Sequence, residues 1–166
     1  MNSRCLVAAI GLALGCAETS QIATQDSADR LGSWVPEQGA TLLHTSLSSL
    51  GNPTLAVVSY PAAWRALWTE AWGGLQVSPT LPVIDFVLSS VIVVGLGKRA
   101  GPGYSVTIDS IVVRTGGSVL YATEVQPGAH CDASGAPSAP VHMVQMPGHP
   151  PIIDWQVGTV RRDCAS

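Results

Sequence analysis

Apolar residues fall at every second position through much of the later chain. In "GYSVTIDSIVVRT", Tyr104, Val106 and Ile108 alternate with Ser105 and Thr107 before the apolar phase moves to Ile111 and Val113. A period of two marks a half-buried strand, and the change of phase predicts a bulge near Asp109–Ser110. Further strand segments lie in "ATLLHTSLSS", "TLAVVSY", "PVIDFVLSSVIVVGLGKR", "SVLYATEVQ", "APVHMVQMPG" and "PIIDWQVGTV". Gly51-Asn52-Pro53 and Gly116-Gly117 supply turn signals between them.

One stretch obeys a different period. Trp64, Trp68 and Trp72 stand four apart, with Ala63, Leu67 and Ala71 beside them, which is a helical stripe. Pro61 suits a first turn and Gly73-Gly74 an end. Such a stripe either packs on a sheet or forms a platform for a sugar or peptide, and packing is the commoner use. Strands and helices do not alternate as βαβ units would. The pattern predicts a mainly β (α+β) domain: an antiparallel β-sandwich or open barrel-like sheet of five to seven strands, with one packed helix near residues 61–72.

The glycines of "SVIVVGLGKRAGPGYSVTI" test a nucleotide-binding alternative. A dinucleotide or phosphate cradle needs a helix after the glycines, because the helix N-terminus binds the phosphates. Here the chain after Gly103 alternates with period two. Ala100 stands where a third glycine should, and Lys98 is not followed by Ser or Thr. The glycines therefore belong to a loop between antiparallel strands, and no cofactor is implied.

The N-terminal stretch "MNSRCLVAAIGLALGCAETS" places one cation, Arg4, before an apolar run from Cys5 to Leu14. That run is too short to span a bilayer and has the order of a secretory signal. Leu12-Ala13-Leu14-Gly15-Cys16 resembles a bacterial lipobox, with Ala13 where Leu is usual. Two readings stay open: lipidation of Cys16, or ordinary cleavage nearby. The expected organisation is a lipoprotein signal peptide over 1–15, a flexible polar tether over 16–39, and a single β-rich domain over 40–166.

Export changes the charge and cysteine balance. Loss of Arg4 moves the formal charge from −3 to −4, a weakly acidic surface that argues against nucleic acid or anionic lipid as partner. Cys5 departs as well; with Cys16 lipidated, Cys131 and Cys164 remain as thiols. In an oxidising compartment they are expected to pair.

The residues from Asp85-Phe86 through an apolar strand to Gly97-Lys98-Arg99, then Gly101-Pro102-Gly103-Tyr104-Ser105-Val106 and a second strand, resemble the PrcB family of protease-complex subunits. Pro127-Gly128 before Cys131, Pro140 before an apolar strand, and the closing Arg162-Asp163-Cys164 extend the likeness, as does upstream "AAWRALW". The chain departs at the centre of the motif, where Ala100-Gly101-Pro102-Gly103 replaces Thr-Gly-Gly or Ser-Gly-Gly. Pro102 fixes one φ and removes an N–H donor from that loop. The resemblance implies an exported, often lipid-anchored, β-rich accessory domain that is not itself catalytic.

Catalytic signatures are missing from the sequence: there is no Gly-x-Ser-x-Gly and no His-Glu-x-x-His. His130-Cys131-Asp132 lacks the paired ligand spacing of a zinc centre, so no metal is expected. Tyr104 and Asp85 have no identifiable catalytic partner. The chain is therefore read as a binding protein rather than an enzyme.

Its candidate contact is the loop of Lys98, Arg99, Gly101, Pro102, Gly103 and Tyr104. Lys98 is the sole lysine of an acidic protein, and a basic loop can steer an acidic partner surface. The plainer reading makes Lys98 and Arg99 solvated turn residues. The expected partner is an envelope protein, with a secreted or surface protease as one candidate, and the membrane is met through an N-terminal lipid only. Two alternatives remain. One is a small β-sandwich protease inhibitor using the 98–104 loop, whose Gly-Tyr ending resembles the chagasin-like group. The other is a structural envelope lipoprotein without a specific partner.

Overall fold

The computed structural model describes residues 30–36, 40–76, 78–131 and 135–164. The signal peptide over 1–15, the lipidation site Cys16 and the tether as far as residue 29 lie outside the described residues.

Eight strands and one helix are described. They are β1 (Arg30–Trp34), β2 (Ala40–Thr45), β3 (Pro53–Val58), α1 (Pro61–Trp72), β4 (Ser89–Leu96), β5 (Ser105–Arg114), β6 (Gly117–Pro127), β7 (Val141–Pro147) and β8 (Ile152–Arg162). They form two four-stranded sheets, an outer one in the order β1-β5-β6-β8 and an inner one in the order β2-β7-β4-β3. With α1 packed on the inner sheet, the domain has three layers: helix, inner sheet, outer sheet. This is the mainly β sandwich with one helix that the periodicities predict.

The apolar pattern explains the layering. Every residue of β4 is buried, because both faces of the inner sheet are covered. Ile92, Val94 and Leu96 face the outer sheet, where they join Val106, Ile108, Ile111 and Leu120. Val91 and Val93 face the other way, toward Trp64, Trp68 and Ala71 of α1. A strand enclosed on both faces reads as a continuous apolar run, and "VIVV" is that run. The outer sheet covers only one face, so β5 alternates and its bulge falls between Ile108 and Ser110, as the phase change predicts.

The tryptophan stripe is a packing face. Trp64 and Trp68 are buried, and each indole N–H is satisfied by a carbonyl, Pro82 O at 3.0 Å and Pro79 O at 3.1 Å. The segment 79–84 thus closes over the helix, and two of the three rings are withdrawn from any sugar or peptide.

The structure corrects three expectations. Arg30–Trp34, placed in the flexible tether, form β1 paired with β5, and Trp34 enters the core between the sheets. One late aromatic residue in a polar stretch is enough to anchor it, and this strand takes the count above seven. The pairing is not antiparallel throughout: β6 and β8 are parallel, because β7 between them belongs to the other sheet and returns the chain in the same direction. Finally, the glycine loop does not join neighbouring antiparallel strands. β4 and β5 lie in different sheets, so residues 97–104 carry the chain from one layer to the other.

A disulfide joins Cys131 to Cys164 across 33 residues, with Cα atoms 5.0 Å apart. It ties the loop after β6 to the end of β8. Beside it, Gly128 N–H donates to Arg162 O at 2.8 Å.

Candidate partner-contact site

Crossing between layers imposes tight geometry on the 97–104 loop. Gly97 has φ +70°, and a Cβ there would lie 2.7 Å from Pro53 N, so no other residue fits without moving backbone. Gly103 has φ +87° and sits against Pro127. Between them the loop is laced to the rest of the domain. Lys98 N–H donates to Gly51 O at 3.0 Å, Arg99 N–H to Ser138 O at 2.7 Å, and Ser138 N–H returns to Arg99 O at 3.2 Å. Ser138 Oγ–H donates to Gly101 O at 2.7 Å. Most of this stretch is therefore a fixed platform.

The two cations expected to act together have different roles. Arg99 is turned inward. Its Nε lies 3.2 Å from Glu124 Oε1, its Nη1 donates to Leu96 O at 2.7 Å, and its guanidinium lies 6.0 Å from the Tyr104 ring centroid. Glu124 is buried on β6, and a buried carboxylate needs a partner. Arg99 supplies it, so Arg99 and Tyr104 belong to the scaffold. Only Lys98 projects from the platform as an exposed cation. Gly101 is buried, while Pro102 and Gly103 are exposed at the rim.

Beside Lys98 lies an open cleft of about 220 Å³, walled by Leu47, Ser49, Leu75, Pro137 and Ala139. Hydrogen bonds hold its walls. Ser48 Oγ–H donates to Ala139 O at 2.7 Å, Ser49 N–H to Ala71 O at 2.8 Å, and Gly74 N–H to Ser49 Oγ at 2.9 Å. Leu47 and Leu75 remain exposed in it. Apolar walls beside one ammonium group suit a single anchoring side chain better than a cofactor, for which this volume is small.

A second cleft, of about 370 Å³, opens between the sheets beside Thr41, His44, Thr107, Asp109 and His142. His142 is buried, and its Nδ1 accepts the Ile108 N–H at 2.8 Å, a hydrogen bond from one sheet to the other. The acceptor role requires an unprotonated Nδ1. Burial first, and the neighbouring His44 second, lower the His142 pKa from 6.5 to about 4. The His44 and His142 rings lie 4.5 Å apart. Asp109 Oδ2 is taken by Thr123 Oγ–H at 2.7 Å. Among the described residues no three His, Cys, Asp or Glu side chains converge as a metal site, and His142 serves here as a strut.

Lys98 is legible in the sequence as a lone lysine, but its structural setting is not. Leu47 and Leu75 come from the β2–β3 connection and the stretch after α1, and nothing in their local pattern signals that they flank the loop. His44 and His142 meet only through the β2–β7 register, in which they are opposed.

The family model described as PrcB C-terminal matches residues 90–147, about a third of the chain. That segment is PrcB-like. The match runs from β4 through β7 and contains both the 97–104 loop and its brace at Ser138. It also bears out the resemblance carried by the glycine motif, with Pro102 inside the matched segment. No curated protein matches the chain, and no solved structure does.

Proposed function

We propose that the chain is a non-catalytic accessory domain that docks an envelope protein through Lys98 and the adjoining cleft. In this reading it is exported and held at the membrane by a lipid on Cys16. The observation that carries it is the division of labour between neighbouring cations. Arg99 is bound into the fold, whereas Lys98 stands exposed on a rigid platform beside exposed leucines. A preorganised contact loses little entropy on binding. The cleft fits a partner side chain with an apolar stem and a carboxylate, which would pack on Leu47 and Leu75 while meeting Lys98.

The PrcB-like segment makes a protease the first partner to test, since the family is named for subunits of a protease complex. The inhibitor alternative uses the same loop differently, with Pro102-Gly103 as a wedge at a protease cleft; the exposure of those two residues is what favours it.

A photo-activatable amino acid in place of Leu75 should cross-link one envelope protein in living cells, identifiable by mass spectrometry. The same group in place of Val83, fully exposed elsewhere, should not capture that protein. Equal capture at both positions, or none at Leu75, refutes the cleft as a docking site. If the captured protein is a protease, its activity with and without this chain separates an accessory subunit from an inhibitor.

A further inference from the structure

Among the described residues the four sheet edges are unequal. β1, β2 and β3 are short, at 5, 6 and 6 residues, and β3 opens on a proline. β8 is an edge of 11 residues, exposed along nearly its whole length. Natural sheets protect long edges with charged side chains, lysine above all, with proline or with a bulge. From Asp154 to Arg162 this strand has no lysine, proline or bulge, and its charges, Asp154, Arg161 and Arg162, stand only at its two ends; its register with β6 runs unbroken, and between the charges it exposes Val157 and Val160.

The backbone of β8 faces alternately inward and outward. In a parallel pair, a residue that bonds its neighbour does so with both backbone groups, and the next residue turns both away. Arg162 O accepts from Gly128 N–H, so Arg162 faces β6, and with it Val160, Gly158, Gln156 and Asp154. Trp155, Val157, Thr159 and Arg161 then present their N–H and C=O groups outward. The Trp155 N–H agrees: it is taken by Asp154 Oδ1 at 2.8 Å, as an amide without a ladder partner would be.

We propose that β8 pairs antiparallel with β8 of a second copy of this chain, about a two-fold axis through Gly158. This register sets the outward groups of Trp155 opposite those of Arg161 in the second copy, and Val157 opposite Thr159. Asp154 then stands across from Arg162 in a closely spaced non-hydrogen-bonded pair, twice by symmetry. Opposite charges directly across a strand pair are stabilising and like charges are not. Gly158 meets itself on the axis, where the lack of a side chain allows close approach. On pairing, the Trp155 N–H exchanges Asp154 Oδ1 for a carbonyl of the second copy. Asp154 keeps its 2.6 Å contact with Gln156 Nε2 and remains free to meet Arg162. The outer sheet becomes a continuous eight-stranded sheet, and the closed isologous pairing leaves no β8 edge for further addition.

Charge reversal tests the register. The full-length protein, its disulfide intact, is examined by sedimentation equilibrium in density-matched detergent. The wild type should sediment at twice the mass of one chain. Asp154→Arg and Arg162→Asp should each sediment as single chains, because each sets two like-charged pairs face to face. An equimolar mixture of these two variants restores both opposite-charge pairs and should recover the doubled mass. Thr159→Pro removes an outward N–H without touching the β6 ladder; it should be monomeric with its melting temperature kept, which covers a charge reversal that impairs folding. A monomeric wild type overturns the proposal, as does a dimer unaffected by these substitutions or a mixture that stays monomeric. Hydrogen exchange at Val157 and Thr159 is the companion readout. Protection of both amides in a monomer would mean that another part of the chain covers β8, and would also overturn it.

Discussion

β4 and β8 show how differently two strands of one domain are held. β4 lies in the inner sheet with partners on both sides and a layer over each face, and every residue is buried. Among the described residues β8 has one neighbour and one covered face, and most of its residues are exposed. Burial secures the first. The second is held by the parallel ladder to β6, by Ile152 and Trp155 packed against the core, and by the Cys131–Cys164 disulfide at its end. Where the layers run out, covalent and backbone ties replace apolar cover, and the surface left over is available for contacts.

Removing part of the helical layer should have the largest effect. Trp64→Ala deletes a buried ring from the cover of β4 and is expected to cost about 3–5 kcal/mol in urea unfolding. Val157→Ala on half-exposed β8 should cost under about 1 kcal/mol. Equal costs would erase the distinction between the strands.

Loss of the disulfide is expected to be nearly as large. Closing a loop of this length in the unfolded chain is worth about 3–4 kcal/mol in the entropy model. Cys131→Ser with Cys164→Ser should lower the denaturation midpoint accordingly. Hydrogen exchange should accelerate along β8 while β4 stays protected; acceleration in both strands would show that the disulfide secures the whole domain.

Arg99→Ala should cost about 1–3 kcal/mol, because it leaves Glu124 buried without its cation and the Leu96 carbonyl without a donor. Adding Glu124→Gln should recover part of that loss. If Arg99→Ala leaves stability unchanged, the loop is not fixed from within.

The strut between the sheets adds a pH dependence. His142 has its folded pKa lowered from 6.5 to about 4, so between those values the unfolded chain binds more protons than the folded one. Its contribution is therefore present above about pH 6.5 and lost as pH falls toward 4. The melting temperature should fall over that window, and His142→Gln, which can still accept the Ile108 N–H, should flatten the fall. An unchanged slope in that variant would remove His142 as the cause.

Much of this architecture can be read in the residues. "VIVV" and the Ser105–Val113 alternation mark a doubly covered and a singly covered strand, and the phase change locates the bulge. The four-residue spacing of Trp64, Trp68 and Trp72 gives the helix and its buried face. What the sequence does not show is which strands share a sheet. That concealed the layer crossing of the 97–104 loop, the parallel return of β8 and the meeting of His44 with His142, all of which depend on contacts between distant segments. β1 was hidden for another reason: its five residues include Gly32 and Ser33 and carry no alternation, so only Trp34 signals it. At the site, Lys98 and Arg99 are indistinguishable as adjacent cations, because only the position of Glu124 on β6 decides which of them the fold consumes.

The functional account rests on that division, so the most direct measurement compares Lys98→Glu with wild type in melting temperature and in capture of the envelope protein that cross-links at Leu75. Lys98→Glu should keep the melting temperature, within about 0.5 kcal/mol of stability as for other exposed positions, and lose capture. Undiminished capture by Lys98→Glu would contradict the functional account.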